Sequence, residues 1–140
     1  MFKIFKRYIF PLGVSLLLWA FPFSQNNTPT DITITTESNV PITVIDKDKF
    51  TFELLADNFS LNKNETLDFR STQLVLITTI SNQNGSGTIK FLDKDLNVLQ
   101  TVDLNASRIS TQRLSFNTIP TQVTIQLEKF SGNVSLVLKK

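Results

Sequence analysis

Histidine and cysteine are both missing from this chain of 140 residues. Their absence removes the commonest general base at neutral pH, the thiol nucleophile and the soft metal ligands together. It also removes disulfides, so the fold must rest on packing alone. Small exported eukaryotic domains are usually disulfide-rich, and a cysteine-free exported chain is more at home in a bacterium. Tyrosine and tryptophan are nearly absent. Tyr8 and Trp19 are the only ones, and both lie near the N-terminus. From Gln25 onward phenylalanine is the sole aromatic, at positions 50, 52, 59, 69, 91, 116 and 130. Most of these stand at alternating apolar positions and are expected in the core. A stripe of positive charge is missing too. The formal net charge is +2, but Lys3, Lys6 and Arg7 precede the apolar segment and no acid does. The remaining eleven basic residues meet twelve acidic ones, interspersed as in Asp46-Lys47-Asp48-Lys49. A nucleic-acid partner is therefore not expected.

What is present divides the chain in three. Residues 1–24 read as an export segment, with a basic start and an uncharged apolar run from Tyr8 to Phe23. The run is short against the ~20 residues of a spanning helix. Two outcomes stay open: a signal peptide cut near Ala20, or a retained signal anchor touching the membrane only through residues 8–23. Either way the protein is expected outside the cytoplasm, as a secreted, periplasmic or cell-surface domain. Residues 25–30 form a polar linker. Residues 31–140 form the domain, which is large enough for one core.

Within that domain apolar residues recur with period two. Ile32 and Ile34 give a first strand, and Val40, Ile42 and Val44 a second, which Pro41 places at an edge. Phe50, Phe52, Leu54 and Ala56 give a third. Residues 59–69 suggest two short pieces around an Asn62-Lys63-Asn64 turn. Gln73 to Ile80 is uncharged and apolar on both faces at Val75, Leu76 and Ile77, so it belongs in a central strand. Ser81 to Gly87 reads as a flexible hairpin loop. Beyond it Val123, Ile125 and Leu127, then Val134, Leu136 and Leu138, alternate with polar neighbours. No amphipathic helix is evident. Eight or nine short strands imply an all-β fold, a small antiparallel two-sheet β-sandwich, jelly-roll-like or immunoglobulin-like in topology, and propensity does not choose between the two. Phe52, Leu76, Phe91, Ile125 and Leu136 are expected to carry its core.

Three stretches within this pattern resemble galactose-binding-like jelly rolls and the bacterial pre-peptidase C-terminal modules of exported proteins. They are Phe-Ser-Leu-x-Lys-x-Glu-Thr-Leu at 59–67, Gly-Thr-Ile-Lys-Phe-Leu-Asp-Lys-Asp at 87–95, and Phe-Ser-Gly-Asn-Val-Ser-Leu at 130–136. The resemblance spans residues 50–138 and implies fold and export, with no ligand. Where those modules often carry Gly-x-Tyr, this chain has Ile119-Pro120-Thr121-Gln122 before Val123.

Few residues suggest chemistry. Asp93, Asp95 and Asn97 have the alternating oxygens that open a calcium loop, the one cofactor the sequence raises. Val98 stands where that loop needs glycine and Leu104 where it needs a bidentate glutamate, so a turn capped by its own Asp and Asn is expected. Ser60 and Lys63 match S-x-x-K, without the helix or companion motifs that make it catalytic. Asn84-Gly85-Ser86-Gly87 lacks the lysine and helix of a phosphate cradle. Asp46 and Asp48 read as a solvated turn. Asn-x-Ser/Thr occurs at Asn26, Asn58, Asn64, Asn84, Asn105 and Asn133. No catalytic set assembles from these residues. The function expected is non-enzymatic contact with a protein or glycan.

Overall fold

The structure, a computed structural model, describes residues 37–140. The export segment, the linker and the strand around Ile32 and Ile34 lie outside the described residues. Those described form one antiparallel sheet of six strands and contain no helix. The strands are β1 (Ile42–Asp46), β2 (Lys49–Thr66), β3 (Gln73–Leu92), β4 (Val98–Asp103), β5 (Arg108–Ser115) and β6 (Gln122–Lys139). They run in the order β1-β2-β6-β3-β4, and β5 also pairs with β3.

The expected short strands are fused in pairs. β2 and β6 have 18 residues each and β3 has 20. At about 3.3 Å per residue a straight β2 would reach roughly 60 Å. Its ends instead meet: Asp48 N donates to Asp68 O at 2.9 Å, just outside both termini of the strand. The sheet therefore doubles over on itself, and its corner is visible in the register. Pairing slips at 56–61 on β2 and at 82–86 on β3, both against 127–132 of β6. Residues with positive φ gather there: Asn58 at 49°, Gly85 at 79°, Lys129 at 46° and Gly132 at 148°. Bulges with left-handed residues bend and twist a strand without ending its ladder.

Two expectations change for that reason. Residues 81–87 are not a hairpin loop, because their turn-forming residues serve a corner through which the ladder to β6 continues. Asn62-Lys63-Asn64 is no turn either; it pairs with Gln126, Ile125 and Thr124. Likewise the two sheets expected from the sequence are one hydrogen-bonded sheet here, since three strands cross from one half to the other. One half holds β1, the first part of β2, the last part of β6, the first part of β3, and β5. The other holds the rest of β2, β6 and β3, with β4.

Between the halves lies a single core. Phe50, on the first half, meets Phe91, on the second, edge to face at 5.8 Å between ring centroids. All five expected core residues are buried, as are Phe69 and Phe130, while Phe59 and Phe116 pack at its margin. Thr78 is buried, its hydroxyl paired with Ser110 Oγ at 2.8 Å. β3 is central, as its two apolar faces required, and β1 is an edge, as Pro41 required.

Candidate functional site

Period two has a second consequence, on the outside of the half that carries β4. Where Val123, Ile125 and Leu127 turn inward, Gln122, Thr124, Gln126 and Glu128 must turn outward. Register then lays polar residues side by side across four strands. Asn62 pairs with Gln126, Gln126 with Thr88, and Thr88 with Asp103. In the next row Asn64, Thr124, Lys90 and Thr101 stand abreast, and Ser86 faces Glu128 on the other side. Neighbouring strands lie about 4.8 Å apart and alternate residues about 6.8 Å, so the face is a lattice of amides and hydroxyls at that spacing. Lys90, Asp103 and Glu128 are the charged side chains on these rows.

At the corner end this face sinks into an open groove of about 420 Å³, lined by Asn62, Ser86, Thr88, Asn105, Gln126 and Glu128. Its floor is closed by close packing. A Cβ on Gly87 would come within 2.6 Å of Leu127 Cδ2, so a larger residue there would require that leucine to shift. Its wall is fixed by Asn105, whose Oδ1 accepts from Gly87 N at 3.0 Å. Beside the groove Lys129 N donates to Ser60 Oγ, also at 3.0 Å. The side chains of Asn62, Thr88, Gln126 and Glu128, by contrast, make no hydrogen bond among the described residues, and all but half-buried Thr88 are exposed. The arrangement can offer donors and acceptors to a ligand.

The other candidates fall elsewhere. Asp93, Asp95 and Asn97 do come together, between β3 and β4, but around a carboxylate that is already occupied. Asp93 Oδ1 accepts from the backbone N–H of Asp95 and of Asn97, each at 2.9 Å. Its Oδ2 accepts from Asn97 Nδ2 at 3.0 Å and Thr118 Oγ1 at 3.3 Å. The Asn97 side-chain amide, first, and these other donors hold the Asp93 carboxyl below its ordinary value of 3.8, against the opposing effect of burial. Donors converge on this carboxylate where a cation would need oxygens. Among the described residues no group of three or more acidic side chains converges. Ser60 and Lys63 are an odd number of residues apart on a strand and so face opposite ways; Lys63 Nζ pairs with Glu65 Oε1 at 2.6 Å. Asp48 caps the 68–70 segment, its Oδ1 accepting from Arg70 N at 2.6 Å. Asn58, Asn64, Asn84, Asn105 and Asn133 are all exposed.

The polar face was half visible in the sequence. Alternation names its residues on each strand, but their alignment across four strands depends on register, which the corners set. Fold and site together define an all-β domain with a polar sheet face and a groove. No protein-family model matches the chain, and no curated protein matches it significantly.

Proposed function

We propose that this chain is an exported, non-enzymatic module of jelly-roll-like β-sandwich form that acts by contact with a protein or a glycan. The observation that carries the reading is the open groove on an ordered polar face, supplied with amides and a carboxylate that no protein group engages among the described residues. The fold reading is supported by the order of strand segments. Divided at their corners, β2 to β6 supply eight segments. Numbered along the chain they run 1-8-3-6 in one half and 2-7-4-5 in the other. Segments 1 and 8, 2 and 7, 3 and 6, and 4 and 5 are thus paired, as in one long hairpin rolled around a core, the jelly-roll scheme. The resemblance to galactose-binding-like and pre-peptidase C-terminal modules agrees with that order and with export.

Export rests on residues 1–24, whose basic start and apolar run orient the domain outward. A second reading retains that run as an anchor, making the protein a membrane-held subunit of an envelope assembly. The uncharged stretch from Tyr8 to Phe23 favours it. Expression of the full chain in a bacterial host, followed by fractionation and intact mass, separates these readings. A soluble extracytoplasmic product shortened by about twenty residues supports cleavage, and full-length protein resisting carbonate extraction supports the anchor. Product confined to the cytosol refutes export. For contact, the mature domain should bind isolated envelope material, and Asn62→Ala with Gln126→Ala should weaken that binding. Unchanged binding in the double variant places contact elsewhere.

A further inference from the structure

We infer that the partner of the four-stranded outer face is a neutral polysaccharide, laid across β2, β6 and β3 with its hydroxyls in the groove. This deepens the contact reading above and rests on it. The chemistry of the face narrows the partner. Along the rows Asn62–Gln126–Thr88 and Asn64–Thr124 the side chains are amides and hydroxyls, each able to donate and accept. Vicinal hydroxyls of a sugar ring present the same paired donor and acceptor character. A carboxylate, Glu128, stands at the groove edge as an acceptor for two neighbouring hydroxyls, with Asn62 and Gln126 able to donate to ring and hydroxyl oxygens.

Other partner classes fit this surface less well. Protein interfaces gain most of their energy from buried aromatic, aliphatic or arginine anchors in a dry centre. The outward rows on β2, β6 and β3 carry no such anchor; the two leucines at the groove, Leu61 and Leu127, belong to the inward face, one half-buried and one buried. An anionic polymer needs a cationic track, and here Lys90 is offset by Asp103 and Glu128. A neutral, fully hydroxylated chain needs neither. It replaces water on each amide without stranding a charge. The face also lacks a tryptophan or tyrosine on which a ring could stack, so each site binds modestly, and a repetitive polymer answers this by offering many equivalent sites.

Affinity electrophoresis suits such binding. The domain from Gln25 onward, after circular dichroism and thermal melting have shown it folded, runs through native gels cast with a β-glucan, a mannan or a galactan. Parallel gels contain hyaluronate or heparin. Retardation by at least one neutral polymer is expected, stronger than by either charged one. Gln126→Ala and Asn62→Ala should each weaken it about 3–10-fold, the worth of one or two hydrogen bonds. Arg113→Ala, on β5 of the other half, should leave it unchanged. Melting temperatures of all three variants should match the parent, which excludes misfolding as the cause. Absence of retardation in every neutral gel, preference for a charged polymer, or equal retardation of the groove variants would each overturn the assignment. Envelope binding that is lost with the groove variants but abolished by protease treatment of the envelope would replace the polysaccharide by a protein and leave the contact reading standing.

Discussion

Gly132→Ala tests whether the doubled sheet depends on its corner. Gly132 has φ of 148°, and a Cβ built there would collide with the backbone carbonyl oxygen of Ser81 on β3. A flexible side chain could step aside from such a clash; a ladder carbonyl in the central strand cannot do so without moving the pairing. The left-handed backbone alone costs a non-glycine residue about 1–2 kcal/mol. Forcing extra volume into a packed site costs about 1–3 kcal/mol more. Together these come to roughly 2–5 kcal/mol, against a total stability of ~5–15 kcal/mol for a domain. With a urea slope of about 1–3 kcal/mol/M, the midpoint should fall by at least ~0.7 M. Ser135→Ala, three residues along β6 and outside the corner, serves as the control and should shift it little. Equilibrium urea unfolding of both, followed by far-ultraviolet circular dichroism, decides the matter. A Gly132→Ala midpoint within error of the control would mean that the corner geometry is not what holds the two halves together.

Further outcomes follow from the same geometry. Phe91→Ala removes the ring that meets Phe50 across the core and should cost about 3–5 kcal/mol, read as a lowered denaturation midpoint; a change below 1 kcal/mol would place that contact outside the stabilising core. Asp93 has a folded-state pKa below its ordinary 3.8, so its contribution is fully present above that value and is lost as pH falls through the lower folded-state value. Asp93→Asn should therefore flatten the acid limb of a melting-temperature profile below about pH 4, and an unaltered limb would contradict the role given to this carboxylate. Cleavage near Ala20 would remove both Tyr8 and Trp19. The mature protein should then show almost no absorbance at 280 nm, and tryptophan fluorescence in the extracytoplasmic fraction would refute cleavage.

Much of the fold was legible because alternation is a local signal. Val123, Ile125 and Leu127 needed only their own neighbours to declare an inward face, and Val75, Leu76 and Ile77, apolar on both faces, declared a central strand. What alternation could not show was continuity. Asn84-Gly85-Ser86-Gly87 and Phe130-Ser131-Gly132 carry the residues of a hairpin turn and also those of a bulge, and the two differ only in whether the partner strand continues alongside. That is a long-range fact: residues 81–92 meet 122–133 some forty positions away. The same limit hid the site. Asn62, Thr88 and Gln126 are ordinary wet-face residues in sequence, and they become a lattice only when register sets them abreast. Asp93 was legible down to its role, because an Asx turn is closed within five residues.

The two outer faces of the doubled sheet differ in the chemistry they present. On the five-stranded half, Val44, Thr51, Val137, Ile77 and Thr111 stand in one row, and Ile42 and Ile109 flank it, exposed by 38% and 82%. A protein partner would gain most there, where aliphatic area can be taken from water. The four-stranded half presents amides and hydroxyls, where displaced water must be replaced bond for bond. The open edges follow the same division. On the polar half the edge formed by β2 turns Lys63 and Glu65 inward as an ion pair, with Lys63 Nζ reaching Thr43 Oγ1 on β1 at 3.4 Å. Inward charge of this kind blocks strand addition along that edge. β1 carries a single charge, Asp46 at its end, and residues 40–45 carry none. Contact by strand pairing is thus directed toward the aliphatic half and away from the groove, so loss of binding in Gln126→Ala reports on the polar face alone.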